Sequence, residues 1–303
     1  MTTVIYHRAD FDGLFCREIA RKFLGATNTN YIGWDYGDPV PDVPTEHQLY
    51  ILDLSVPELM GHPKLIWIDH HKTAIDRYSP DIPGYRIDGV AACRLAWQWF
   101  SRGWKTLDGL AYIPLPDKQA YVDRTVNEPL AVRLAGEYDI WDKRDPRAEL
   151  FQHGLRGCEL TSNLWELLLV PVEENYLGQM DVGTITVEAL LEQGQSIQFA
   201  KNRENESIIQ HQSYTLRWEG LTFLACNHAR FNSHLFTAGL TGEHDACLGF
   251  CYDGGKKAWK VSLYHAPGKE HHDLSEIARR RGGGGHRGAC GFMLSKIDSL
   301  LPQ

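Results

Sequence analysis

The chain has no run of about 20 consecutive apolar residues, the length a helix needs to cross a bilayer, so no membrane partner is expected. It has no basic excess either. A formal net charge of −8 is at odds with a general nucleic-acid coat protein, which carries a basic footprint. A short anionic substrate is still admissible, because a bound cation reverses the local field. Cysteine pairing is missing too. The seven cysteines (Cys16, Cys93, Cys158, Cys226, Cys247, Cys251, Cys290) are odd in number and contain no Cys-x-x-Cys pair. They read as buried free thiols of a reducing compartment rather than as a disulfide framework. No secretory leader pattern precedes the first strand-like run, and a cytoplasmic location is expected. Repeats and low-complexity segments are also absent. What is left, 303 residues of ordinary charged and apolar content, has room for two domains of a globular enzyme.

Three short apolar runs end in Asp or His. Val4-Ile5-Tyr6 leads into His7-Arg8-Ala9-Asp10-Phe11-Asp12-Gly13, Tyr50-Ile51-Leu52 into Asp53, and Leu65-Ile66-Trp67-Ile68 into Asp69-His70-His71. β-rich runs that stop abruptly on carboxylates and imidazoles read as buried strands delivering ligands at their tips. Between them the pattern predicts helices over Leu14–Phe23 and Val90–Ser101, the latter capped by Asp88 and stopped at Gly103. A further helical stretch is expected from about Lys118 to Trp141. Strands followed by helical crossovers imply an α/β fold, a parallel sheet with helices on both faces, whose sites gather at the carboxyl ends of the strands. Residues 186–212 are polar, helix-favouring and free of proline, and predict a long connecting helix. Beyond it the texture changes to strands near Leu221–Cys226, Cys247–Tyr252, Trp259–Tyr264 and Ala289–Leu294, with one helix over Leu274–Arg281. The expected organisation is a first domain over 1–183, a helical linker over 184–212 and a smaller mixed-sheet α/β domain over 213–303.

His7, Asp10, Asp12, Asp53, His70 and Asp139 are all oxygen or imidazole donors, and no thiolate joins them. Singly, each has a plainer explanation; Asp10 and Asp12 before Gly13 fit a solvated turn. Jointly they suit a borderline-hard divalent ion such as Mn²⁺ better than a structural zinc site. Six donors are too many for one small ion and suit two that share a bridging carboxylate, the usual clamp for phosphoester hydrolysis. The run Gly282–Gly285 with His286 has its own logic: glycine lets backbone N–H groups approach an anion, and the imidazole adds a donor. Arg279, Arg280, Arg281 and Arg287 surround it. Trp67, Trp97 and Trp99 fall in core patterns rather than base-stacking positions, and His271-His272 reads as an exposed loop.

His7-x-x-Asp10-x-Asp12-Gly13, then Asp53, then Asp69-His70-His71, then Gly-Gly-Gly-His near the C-terminus resembles the DHH/DHHA1 phosphoesterases over nearly the whole chain. That family includes RecJ-type exonucleases, short-oligoribonucleotide nucleases and cyclic-dinucleotide phosphodiesterases. The resemblance implies two Mn²⁺ ions, with Mg²⁺ or Co²⁺ as substitutes. His7, Asp10 and Asp53 would hold one, and Asp12, Asp53, His70 and Asp139 the other, with Asp53 as the bridge. His71 would face the scissile phosphate and Asp69 would orient the histidines. Gly284, Gly285, His286 and Arg287 would bind substrate from the DHHA1 side, across an interdomain cleft. Two features depart from the pattern. Two residues separate His7 from Asp10, where many relatives have three, and the last aspartate lies in Glu-Tyr-Asp-Ile-Trp-Asp, a context similar to the oligoribonuclease B branch. Asp142, one helical turn beyond Asp139, is the alternative last ligand.

The expected activity is therefore manganese-dependent hydrolysis of short oligonucleotides or of linear or cyclic dinucleotides, with no module for long DNA. The alternatives are a manganese inorganic pyrophosphatase and an inactive nucleotide-binding regulator. A homodimer is left open.

Overall fold

Five segments of the first half pair in parallel, and their order brings the three donor-tipped strands side by side. The computed structural model describes residues 1–106, 114–170, 182–229, 231 and 233–301. The chain divides into two units, Met1–Ile197 and Gln198–Gln303. The first is built from β1 (Thr2–His7), α1 (Phe11–Leu24), β2 (Thr29–Trp34), β3 (Gln48–Leu52), β4 (Leu65–Asp69), α2 (Lys72–Arg77), β5 (Gly84–Arg86) and α3 (Ala92–Thr106). It continues through α4 (Lys118–Val122), α5 (Leu130–Asp139), α6 (Arg147–Arg156), α7 (Ser162–Leu168) and the first half of α8 (Val182–Gln212). The strand order is β2-β1-β3-β4-β5, parallel throughout. Successive strands leave β1 in opposite directions, so the β1/β3 boundary is the topological switch point, where doubly wound sheets open a crevice at the carboxyl edge.

The strands are apolar on both sides because both sides are covered. Val4, Leu52 and Ile68 pack under α1, α3 and α5 with Phe15, Ile19 and Leu95. Their neighbours Ile5, Ile51 and Trp67 point the other way, into a cluster with Leu54, Val56 and Ala74 of α2. This alternation is the period-two signature of a strand. The turn from β1 into α1 is tight: a Cβ on Gly13 would sit 1.9 Å from the His7 carbonyl oxygen, so only glycine fits.

The second unit carries a six-stranded mixed sheet, ordered β10-β11-β9-β8-β7-β6. Its strands are β6 (Ser213–Trp218), β7 (Leu221–Asn227), β8 (Ala246–Asp253), β9 (Ala258–His265), β10 (Gly284–His286) and β11 (Ala289–Leu294), with α9 (Leu274–Arg279) against one face. Only the β7–β8 pair is parallel. All seven cysteines are free, and five of them are buried. No described helix is long and apolar enough to cross a membrane.

Three expectations change. Asp88 does not cap α3, which runs Ala92–Thr106 and passes through Gly103. Its first N–H groups, on Ala92 and Cys93, donate to the Asp12 carboxylate at 2.8 and 2.7 Å, a cap supplied from 80 residues away. The stretch Lys118–Trp141 is two helices rather than one. Arg124 adopts a positive φ of 57° after α4, Pro129 precedes α5, and Trp141, also at φ 57°, ends it. The glycine run, read only as an anion-binding segment, also supplies a strand: Gly284–His286 form β10.

Candidate metal centre

The tips of β1, β3 and β4 and the N-terminus of α1 converge at the carboxyl edge of the sheet. His7 ends β1, Asp53 follows β3, Asp69 ends β4, and Asp10 and Asp12 open α1. Asp10 is the N-cap of α1, accepting from Gly13 N–H at 3.0 Å. His7 Nδ1 lies 2.9 Å from Asp10 Oδ2 and 3.4 Å from Asp53 Oδ2. His70 Nε2 lies 3.5 Å from Asp12 Oδ2, 3.4 Å from Asp53 Oδ1 and 3.3 Å from Asp139 Oδ2. Potential ligand atoms therefore fall into three overlapping groups, each within 4.8 Å: His7–Asp10–Asp53, Asp12–His70–Asp139 and Asp53–His70–His71. Asp53 is shared between the His7 side and the His70 side.

Asp53 is 1% exposed, and neither of its oxygens has a hydrogen-bond partner among the described residues. Its backbone sits at φ +63°, a strained value for a non-glycine residue. Buried carboxylates ordinarily find donors, so an orphaned one at a strained position fits a cation-binding role. Burial pushes its pKa up to about 7; the His7 imidazole, 3.4 Å away and too far for a good hydrogen bond, opposes the rise, and Asp10 and Asp139 add to it. Asp12 and Asp139 are also pushed up to about 7, first by burial and then by the charges of Asp53 and Asp12 respectively. His7 goes the other way, raised to about 10 by Asp10 and Asp53. Two buried carboxylates and a partly buried third that resist ionisation together would be relieved by a positive charge among them.

Asp69, fully buried, accepts from the backbone N–H of His70 at 2.7 Å and of His71 at 3.2 Å, and its Oδ1 meets His71 Nδ1 at 2.7 Å. That contact raises the His71 pKa to about 9. The other ring nitrogen of His71 stays available, and the side chain is 43% exposed. Between the alternatives at the end of α5, the geometry separates Asp139 from Asp142. Asp139 faces His70, whereas the Asp142 carboxylate is held by Arg144 Nε at 2.9 and 3.0 Å.

No family model matches the chain. Among curated proteins it is similar to the uncharacterised protein R106 of Acanthamoeba polyphaga mimivirus, 26% identical over 251 residues, covering 78% of this chain and 49% of R106. The chain thus spans about half the length of that relative. Among solved structures, a pGpG-specific phosphodiesterase of Vibrio cholerae, PggH, superposes with a TM-score of 0.52 at 15% identity, over 99% of this chain and 95% of PggH. The DHH domain of PF0399, a member of a family of ribosomal proteins, superposes with a TM-score of 0.50 at 14% identity, over 99% of this chain and 84% of PF0399. The chain has the DHH/DHHA1 fold.

One carboxylate beside this cluster was not read from the sequence. Asp35 follows β2, and its Oδ1 lies 3.5 Å from His7 Nε2, on the side of the ring away from Asp10. β2 is an edge strand, half-buried and interrupted by Gly33, so it lacks the continuous apolar run that marked its neighbours.

In the DHHA1 unit the predicted substrate residues lie on an exposed edge. His286 pairs with Ala289, and Gly285 with Cys290. A Cβ on Gly285 would meet Cys290 Cα at 2.6 Å, and one on Gly283 the Gly291 carbonyl at 2.1 Å, so these two glycines serve the strand crossing. Gly284 faces open space. The arginines are largely engaged: Arg280 and Arg281 both pair with Glu219, Arg281 stacks 4.3 Å from the Trp218 ring, and Arg287 donates to the His271 carbonyl at 3.2 Å.

Proposed function

We propose that the chain is a divalent-metal-dependent phosphodiesterase of the cytoplasm that hydrolyses short oligonucleotides or linear or cyclic dinucleotides. The observation that carries this reading is Asp53, a buried carboxylate with no hydrogen-bond partner, set between two donor groups at the switch point. His7, Asp10 and Asp53 would hold one cation, and Asp12, Asp53, His70 and Asp139 a second. Bound there, Mn²⁺ (or Mg²⁺ or Co²⁺ in its place) would supply Lewis acidity, activating water and neutralising charge on phosphate oxygens. The protein's own groups do the rest. Asp69 takes two backbone N–H bonds, which fix the turn carrying both histidines, and holds the His71 ring directly. His71, kept protonated near neutral pH by Asp69, presents an N–H to a phosphate oxygen or to the departing alkoxide. Asp35 steadies His7 from behind, as carboxylates commonly do for ligand histidines.

The test is to give the Mn²⁺-loaded protein a fluorescent dinucleotide, cyclic di-AMP and pyrophosphate in separate reactions. Turnover of a dinucleotide is expected. Phosphate release from pyrophosphate alone would overturn the reading, and nucleotide binding without turnover in any of the three metals would point to a regulator.

Gly284, Gly285, His286 and Arg287 of the second unit are proposed to bind the terminal phosphate or base of the substrate. His286→Ala is expected to raise KM about tenfold, with kcat and bound manganese near parental values, as loss of uniform binding does. Loss of bound metal in this variant would refute that assignment.

A further inference from the structure

A cavity of about 190 Å³ opens beside the donor cluster, wholly within the first unit, where α1, α5 and α6 meet. Asp10, Asp12 and Asp139 form its inner wall, and Phe11, Leu14, Tyr138, Gln152 and Arg156 contribute the remainder with Ala9. Gln152 is the unusual member. The residue is 3% exposed and lines the cavity, and its side-chain amide makes no hydrogen bond among the described residues. Its position is fixed by backbone-to-backbone packing of α6 on α8. A Cβ on Gly154 would fall 2.1 Å from the Leu190 carbonyl oxygen, and one on Gly194 1.9 Å from that of Leu150. Arg156 reaches back over Tyr138, its guanidinium 5.7 Å from the ring centroid.

We propose that this cavity is a nucleobase pocket in which Gln152 reads the hydrogen-bonding edge of a base attached to the scissile phosphate. This rests on the phosphodiesterase reading above and specifies its substrate as base-bearing. Three properties fit a heterocyclic base. Phe11, Leu14 and Tyr138 give the lining an apolar, aromatic share that suits a flat ring. A carboxamide offers one donor and one acceptor side by side, the pattern that pairs with a base edge. The volume lies below the ~300–1,000 Å³ typical of pockets for whole drug-sized ligands, so it suits one ring system and not a dinucleotide.

The test is a cycle between base deletion and amide deletion, using the linear dinucleotide pApA, its two single-abasic analogues, and the parent and Gln152→Leu proteins with Mn²⁺. In the parent, one abasic analogue should lose about tenfold or more in kcat/KM, the scale of one buried hydrogen bond with its contacts. In Gln152→Leu the two substrates should converge, because the base no longer has its partner. Equal abasic penalties in both proteins, or none in the parent, would overturn the pocket while leaving the phosphodiesterase reading intact. If no diester is cleaved at all, that reading fails by itself. AMP binding by calorimetry then decides the pocket: it stands if Gln152→Leu weakens binding about tenfold and falls if affinity is unchanged. Tyr138→Leu, at a half-buried position, carries the same comparison should Gln152→Leu not fold.

Discussion

Asp53→Asn lowers turnover by about 10³-fold, the upper range for loss of one preorganised electrostatic group, and leaves the metal-free protein at least as stable as the parent at pH 8. The two halves of this result come from one cause. Asp53 is buried with only the His7 and His70 imidazoles near its oxygens, each at 3.4 Å, so its ionised form is a cost to the fold that a cation offsets. Asparagine keeps the shape and tolerates the positive φ of 63°, but it carries no charge and cannot serve as a shared anionic ligand. Thermal unfolding in EDTA should therefore show an equal or higher Tm, while the rise in Tm on adding Mn²⁺ shrinks. A purely structural carboxylate would behave oppositely: Tm would fall in EDTA and the metal-dependent increment would persist. Near-parental turnover would end the bridging assignment.

The parts of this centre that lie on central strands were legible because burial on both faces writes an uninterrupted apolar run, and the run's end then stands out. His7, Asp53 and Asp69-His70-His71 were read in this way, and the parallel α/β architecture followed from the same segments. Asp35 was not legible because β2 is an edge strand whose Gly33 and half-exposed positions blur the signal. The N-terminus of α3 was misread for another reason. Asp88 has the right chemistry at the right local spacing, but Asp12 reaches it through the tertiary fold, which no local pattern records. The same bonds give Asp12 a second task beside its place near His70, so the centre is tied directly to the packing of α1 against α3. β10 escaped notice because a run of glycines has no strand propensity. It pairs with β11 only because Gly283 and Gly285 admit a backbone that side chains would exclude. Asp139 stands beside His70, whereas Asp142 is paired with Arg144, two residues further on, a contact that no local pattern records.

Manganese binding is expected to tighten steeply with pH, while the metal-free protein becomes less stable over the same interval. The carboxyls of Asp12, Asp53 and Asp139 are each raised to about 7 by burial and by one another. A carboxyl whose folded pKa lies above its unfolded value of about 3.9 stabilises the fold fully below that value, and the contribution is lost as pH rises through 7. His7, raised to about 10, and His71, raised to about 9, act in the same direction at higher pH. The Tm measured in EDTA should thus decline between pH 5 and 8, unlike that of a protein whose carboxylates are salt-bridged. Metal reverses the trend, because its ligands must be deprotonated and binding expels those protons. The apparent Kd for Mn²⁺ should fall by about tenfold or more per pH unit around pH 6–7, one decade for each proton released. The slope should flatten above pH 8 but not vanish while His7 still carries its proton. Calorimetric titrations in two buffers of different ionisation enthalpy count the released protons directly. A Kd independent of pH across that window, or an EDTA Tm that rises with pH, would show that these carboxyls are ionised before metal arrives. The cluster would then be an ordinary acidic surface rather than a site held ready for cations.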